Sequence, residues 1–176
     1  MMLGGVLSIA IAAPNLAWLV FPSRDAGRQA EAEAVQPPLV RALGLMERAG
    51  RVGVLTIPFF YDIALVGALE KGALLAVLAA LSIYYVCWAR YFAGGRHDVA
   101  LYAPLLGIPL PMAVAPVVAF STGAIVLHSI PLAAAALLLG ASHIPLSRRR
   151  ARDARSRMGT NDPTLADTSP CKGERQ

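Results

Sequence analysis

Residues 99–147 carry no charged side chain and read VALYAPLLGIPLPMAVAPVVAFSTGAIVLHSIPLAAAALLLGASHIPLS. Residues 148–157, which follow directly, read RRRARDARSR. A bilayer core about 30 Å thick needs about 20 helical residues per crossing, so this apolar run is long enough for two crossings. A cluster of arginines after a span resists translocation. The sequence therefore predicts spans over 99–120 and 123–146, followed by a basic segment in the cytoplasm.

Three further apolar runs precede this region, over residues 2–21, 52–69 and 72–91. Of the 176 residues, 56% are hydrophobic and only 15% are charged, with a mean hydropathy of +0.56. A soluble domain would scatter its charges along the chain instead of clustering them between such runs. We therefore expect an all-α, polytopic transmembrane bundle of about five spans. A cleaved signal peptide is the rival interpretation of the first run, but no cation precedes that run, which favours a retained anchor.

The distribution of cations predicts the orientation of the bundle. Threading the five spans places fifteen of the sixteen Lys and Arg residues in segments 22–51, 90–98 and 148–176, and leaves only Lys71 on the other side. Since loops rich in Lys and Arg stay in the cytoplasm, the N-terminus should lie outside and the C-terminus inside a plasma membrane. The net charge of +5 does not indicate nucleic acid binding, because the basic residues flank apolar spans and lack interleaved aromatics.

The predicted organisation has two parts. Residues 1–147 form the bundle and include the cytoplasmic loop 22–51, in which apolar side chains recur at helical spacing over 39–49. This spacing predicts a short amphipathic helix that lies on the inner membrane surface or docks on the bundle. Residues 148–176 form a tail that is first basic and then polar, and we expect its polar part to be disordered.

Asp62 is the most informative single residue, because it falls near the middle of the predicted second span. A carboxylate at the bilayer centre costs about 2.5–3.5 kcal/mol and therefore needs a partner, water or a proton. Counting about 1.5 Å per helical residue places Asn15, Tyr84 and Tyr85 in the same inner half of the bundle. The sequence thus predicts a polar layer of these four residues. It is compatible with a packing role for Asp62 and with a proton, ion or polar-solute site.

The remaining polar residues give no sign of a metal, cofactor or catalytic centre. His128 and His143 are fifteen residues apart on one predicted helix, about 22 Å, so they cannot share a metal, and we expect both near the interfaces. We expect the basic run to contact anionic lipid head groups. Its arginines are Arg148, Arg149, Arg150, Arg152, Arg155 and Arg157. The partners expected are therefore the bilayer and its head groups, with a homo-oligomer or a larger membrane complex left open.

These features favour a small membrane component or accessory subunit without catalytic activity. One alternative is a small transporter or channel built around Asp62. A second alternative is a membrane-embedded enzyme that modifies lipids. Its sparse candidates near the interface are Glu47, Arg48, Arg51, His97 and Asp98. The sequence does not identify a substrate or a partner protein.

Overall fold

A computed structural model describes residues 3–23 and 37–160, and within these ranges the chain is helical and contains no β-strand. The elements are α1 (Gly5–Val20), α2 (Pro38–Thr56), the 3-10 turn η1 (Ile57–Phe60), α3 (Ala68–Ala93), α4 (Asp98–Leu101), α5 (Pro111–Val126) and α6 (Ile130–Thr160). The prediction of an all-α fold is confirmed for this part of the chain.

Two of these helices are long and apolar enough to cross a membrane, namely α3 and the Ile130–Ser156 part of α6. Two further apolar helices, α1 and α5, are shorter at 16 residues each. The predicted spans 2–21 and 72–91 correspond to α1 and α3. The helix predicted near 39–49 is also present and extends into the longer α2, which packs along α6.

The predicted second span, 52–69, is wrong as a single helix. The helix α2 ends at Thr56, η1 follows, and residues 61–66 have no regular secondary structure, with an extended backbone at Tyr61. Pro58 has no N–H to donate to the carbonyl four residues earlier, so the α-helical hydrogen-bond pattern cannot continue through it. The aromatic and β-branched residues that follow favour extended backbone, and an apolar run alone does not separate that conformation from a helix.

The predicted fourth span, 99–120, is likewise wrong in its bounds. The short α4 ends at Leu101, and residues 102–110 form an irregular loop before α5 begins at Pro111. Pro104 and Pro109 both lack the N–H that a helix through this region would need. Pro111 instead lies in the first turn of α5, where a missing N–H breaks no hydrogen bond.

The turn before the last helix lies further along the chain than predicted. Instead of a helix over 123–146, the chain turns at residues 127–129, where His128 has a φ of 48°. The Ser129 hydroxyl then accepts a hydrogen bond from the Leu132 N–H at 3.3 Å and caps α6. The basic segment from residue 148 continues this helix to Thr160. Residues 161–176, where disorder is predicted, lie outside the described residues.

Backbone hydrogen bonds gather several helix ends at one end of the bundle. The Gly4 N–H donates to the Tyr61 carbonyl at 3.1 Å, and the Ala64 N–H donates to the Val126 carbonyl at 3.1 Å. These four residues define the first end, where α1 and α6 begin and where η1 and α5 finish. The opposite end, where α2 begins and α3 finishes, is the second end.

The core of the bundle combines a close helix–helix contact with an aromatic cluster. A Cβ added to Gly50 on α2 would lie 2.8 Å from the Leu139 nitrogen on α6, so the two helix backbones approach closely here. On α3, Trp88 packs edge-to-face against Tyr84 and Tyr91, with ring centroids 6.2 and 5.5 Å away. This core leaves an opening in the half of the bundle toward the second end.

Candidate functional site

A half-open cavity of about 540 Å³ lies in this half of the bundle, between α1, α2, α3, α5 and α6. Its volume is within the range of small-molecule sites in proteins. Most of its wall is apolar, and its polar groups come from α1, α2, α3, α6 and the loop after α4. The apolar wall includes Ile11, Leu16, Val54, Leu55, Met112, Phe120 and Leu139, and the polar groups come from Asn15, Arg51, Tyr84, Tyr102, His143, Ser147 and Arg150.

Two of the residues in the predicted polar layer meet at this cavity. The Asn15 amide donates to the Tyr84 hydroxyl oxygen at 2.9 Å and to the Ile11 carbonyl at 2.9 Å. The Tyr84 side chain is buried and lies beside that same carbonyl, 3.4 Å from it. Tyr85 points away and donates to the Ala10 carbonyl at 2.8 Å, with 44% of its surface exposed. Asn15 and Tyr84 therefore form one polar wall of the cavity. Tyr85 lies outside the cavity, and its hydrogen bond connects α3 to α1.

Asp62, the residue singled out by the sequence, does not join this group. Its Oδ1 accepts the Leu3 N–H at 3.1 Å, and the side chain is exposed at the first end. Gly4 contacts Tyr61 at that end, whereas Asn15 lies eleven residues further along α1, about 16 Å away along the helix axis. The predicted depth of Asp62 assumed a continuous helix over 52–69. Because that helix ends early, the predicted meeting of Asp62 with Asn15 does not occur.

A cluster of one buried carboxylate and its basic neighbours, which the sequence did not predict, lies at the edge of the cavity. The Glu47 side chain is only 7% exposed, and its Oε1 lies 2.6 Å from Arg51 Nη2 and 2.7 Å from His143 Nδ1. The Arg150 Nη1 lies 3.9 Å from Glu47 Oε2. Two cationic side chains and an imidazole from α2 and α6 thus surround one buried carboxylate.

The charges around Glu47 keep it ionised. Glu47 precedes the predicted second span. Burial raises the pKa of its carboxyl, but the hydrogen bond from His143 and the charges of His143, Arg150 and Arg51 outweigh burial and lower the pKa to about 2. An ionised carboxylate can only accept hydrogen bonds, so His143 Nδ1 must carry the proton in this contact. A carboxyl with so low a pKa is a weak base at neutral pH, so Glu47 is suited to balancing charge and not to abstracting protons.

The sequence did contain a signal for this cluster. Glu47 lies seven residues after Val40 and seven before Val54, and all three side chains are buried on one stripe of α2. A glutamate in an apolar stripe needs a cationic or hydrogen-bonding partner. The partner itself was not visible, because His143 is 96 residues away and was expected to be an interfacial residue.

His128, the other histidine of the predicted fifth span, lies at the opposite end of the bundle. Its Nε2 is 3.3 Å from Glu70 Oε1 at the first end. Within residues 3–23 and 37–160, no group of three or more His, Cys, Asp or Glu side chains is placed to hold a metal ion.

The predicted lipid-contact arginines divide between two faces of α6. Ala151 and Ala154 are buried, and Ala151 packs with Leu110 of the α4–α5 connection and with Ala113 of α5. Among the arginines whose side chains the structure describes, four are exposed and Arg150 lines the cavity. The exposed ones are Arg148, Arg149, Arg152 and Arg155. The Arg157 side chain lies outside the described residues.

Comparisons of the chain with protein-family models, with curated proteins and with solved structures find no match.

Proposed function

We propose that this protein is a multi-span, non-catalytic component of the plasma membrane that binds one amphiphilic molecule in the half-open cavity. The observation that carries the proposal is the cavity of about 540 Å³, whose wall is mainly apolar and whose polar groups include Arg51, His143 and Arg150. Such a wall accepts an acyl or prenyl chain, and the polar side accepts a head group.

The arrangement of helix ends supports a five-span topology with revised bounds. The crossings we propose are α1, the segment from Arg51 through η1 to residue 66, α3, α5 and the part of α6 before residue 148. The first end then faces outward, and the second end, with the basic continuation of α6, faces the cytoplasm. This direction agrees with the concentration of Lys and Arg in the cytoplasmic segments.

The polar groups of the cavity favour binding over catalysis. Glu47 is held ionised by its neighbours, and His143 Nδ1 is committed to Glu47 at 2.7 Å. Asn15 and Tyr84 bond to each other and to the Ile11 carbonyl. A general base needs a pKa near the working pH and must reach a substrate proton. These side chains are suited to positioning a ligand, which supports the non-catalytic role.

The topology predicts opposite accessibilities for two introduced cysteines. In a Cys171→Ser background, Lys71→Cys should react with a membrane-impermeant maleimide on intact cells. Arg149→Cys should react only after the membrane is permeabilised, because it follows the last crossing. Both positions are exposed, and the native Cys87 is buried, so the background labelling should be low. The reverse pattern, or equal labelling of both sites on intact cells, would reject this topology.

Filling the cavity should remove the bound amphiphile. Ala12 lines the cavity and is only partly buried, so Ala12→Phe should place a ring in the ligand space with a small cost in stability. We expect the wild-type protein, purified in mild detergent, to retain about one equivalent of lipid in extracts analysed by mass spectrometry. The Ala12→Phe variant should retain at least about tenfold less, because a ligand cannot share the volume of the ring.

Ala13→Phe is the matched control for this experiment. Ala13 is next to Ala12 on α1, is exposed and does not line the cavity. It adds the same ring on the outer face of the helix and should leave the bound lipid unchanged. If both variants retain as much lipid as the wild type, the cavity does not hold the amphiphile.

A further inference from the structure

We propose that the amphiphile carries an uncharged hydroxyl group that donates a hydrogen bond to the side-chain oxygen of Asn15. This inference rests on the proposed function and names the head-group chemistry of its ligand. Asn15 lines the cavity from α1, and it is exposed instead of being packed in the core. A ligand in the cavity can therefore reach its amide group.

The hydrogen bonds of Asn15 use its nitrogen and leave its oxygen available. An asparagine amide has two N–H donors and one acceptor oxygen. The Asn15 Nδ2 group donates to the Ile11 carbonyl and to the Tyr84 hydroxyl oxygen, each at 2.9 Å, so both donors are used within the protein. Its Oδ1 accepts no hydrogen bond from the residues that the structure describes. A ligand group that binds here must therefore be a donor.

The surroundings of the amide determine which of its ends faces the protein. A backbone carbonyl can only accept, so the nitrogen of Asn15, and not its oxygen, must face the Ile11 carbonyl. The Tyr84 hydroxyl donates to the same carbonyl at 3.4 Å, so it offers a lone pair, and not its proton, to Asn15. Turning the amide over would place two acceptors in contact. The available group at this wall of the cavity is therefore an acceptor.

An amide oxygen without a donor is unfavourable at this depth. Asn15 lies about 8 Å along the helix axis from the end of α1 at Val20, inside the first proposed crossing. Its cavity neighbours Ile11, Leu16 and Leu19 are apolar. Within the hydrocarbon region of a membrane, a polar group needs a hydrogen-bonding partner. A hydroxyl group supplies the donor without a charge, whereas a protonated amine would bring a charge into the same region at a much greater cost.

The chain carries its own reporter for a binding experiment. It contains two tryptophans, and both Trp18 and Trp88 line the cavity. Intrinsic fluorescence of the full chain in an uncharged detergent can therefore be titrated with a long-chain secondary alcohol and with the methyl ketone of the same carbon skeleton. The two probes have nearly the same shape, but only the alcohol can donate a hydrogen bond. A monoacylglycerol and an isoprenoid alcohol represent the two hydroxylated lipid classes that fit the proposed chain.

The alcohol is expected to bind about tenfold more tightly than the ketone, because it pairs an acceptor that the ketone leaves without a donor. Asn15→Leu removes the acceptor and should make the two affinities equal. Asn15→Ala serves as a second variant if Asn15→Leu does not fold. At least one of the two lipids should bind as tightly as the alcohol and weaken about tenfold in these variants, and the one that does so identifies the chain as acyl or prenyl.

Tyr85→Phe is the matched control. It removes a different hydrogen bond between α3 and α1, from the Tyr85 hydroxyl to the Ala10 carbonyl, and Tyr85 does not line the cavity. The preference for the alcohol should therefore be unchanged in this variant. Equal affinity for alcohol and ketone in the wild type, or a preference that persists in Asn15→Leu, would overturn the hydroxyl donor while the proposed function stands. If none of these ligands changes the fluorescence, the proposed function itself fails.

Discussion

Gly50→Ala is expected to produce a large loss of stability, because the added methyl group overlaps the backbone of a neighbouring helix. The new Cβ would lie 2.8 Å from the Leu139 nitrogen and 2.9 Å from its Cα. Both are backbone atoms of α6, so no side-chain rotation relieves the overlap. The α2 and α6 helices would have to separate along their contact, and overpacking of this kind costs about 1–3 kcal/mol or more.

The measurement is thermal unfolding of the purified protein in mild detergent, followed by circular dichroism. Gly44→Ala provides a control of opposite sign on the same helix. A Cβ at Gly44 meets nothing within 4 Å, so the change adds only helix propensity and should stabilise the protein by about 0.5–1 kcal/mol. An unfolding temperature for Gly50→Ala equal to that of the wild type would contradict the close packing of α2 on α6.

The parts of the fold that the sequence predicts well are those where one local signal dominates. The apolar run over 72–91 predicts a long helix, and α3 is that helix. The arginines after residue 147 predict a basic segment after the last apolar run, and this segment is the C-terminal part of α6. The first helix was predicted at 2–21 and is found at Gly5–Val20. The α3 helix contains no proline, and Pro14 lies inside α1 without ending it.

The bounds predicted from hydropathy fail where proline controls the backbone. Pro58 ends α2 within the predicted second span, and the prolines between residues 104 and 111 prevent a helix from 99 to 120. Hydropathy counts apolar side chains but not missing N–H donors. Each such error changes the predicted depth of the polar residues in that segment. The main example is Asp62, which was predicted near the middle of the bundle and lies at its first end.

The contacts of the candidate site, like the helix bounds, were predicted only in part. Asn15 and Tyr84 were predicted to meet because both depths could be counted along helices that do form, and they do meet, at 2.9 Å. Glu47 and His143 were not paired, because their contact depends on how α2 lies along α6. That alignment is set by the close approach at Gly50, which a single sequence does not reveal.

Glu47→Gln is expected to cost about 3 kcal/mol of unfolding free energy at neutral pH. The folded protein lowers the pKa of Glu47 from 4.5 to about 2, and each unit of such a shift corresponds to about 1.4 kcal/mol in favour of the ionised form. The amide keeps the shape of the side chain but removes the charge that Arg51 and Arg150 share. The Arg51 guanidinium, 2.6 Å from Glu47 in the wild type, then loses this carboxylate partner beside the apolar cavity.

The pH dependence of this loss has a defined direction. Because the folded pKa is depressed, the stabilisation by Glu47 is complete above about pH 5.5 and is lost as the pH falls through 4.5 toward 2. The difference in unfolding temperature between wild type and Glu47→Gln should therefore be constant from pH 7 to about 5.5 and shrink progressively at lower pH. Asp62→Asn is the control, since Asp62 is exposed and its replacement can still accept the Leu3 N–H. A loss for Asp62→Asn larger than that for Glu47→Gln would mean that the buried carboxylate is not the main electrostatic support of the bundle.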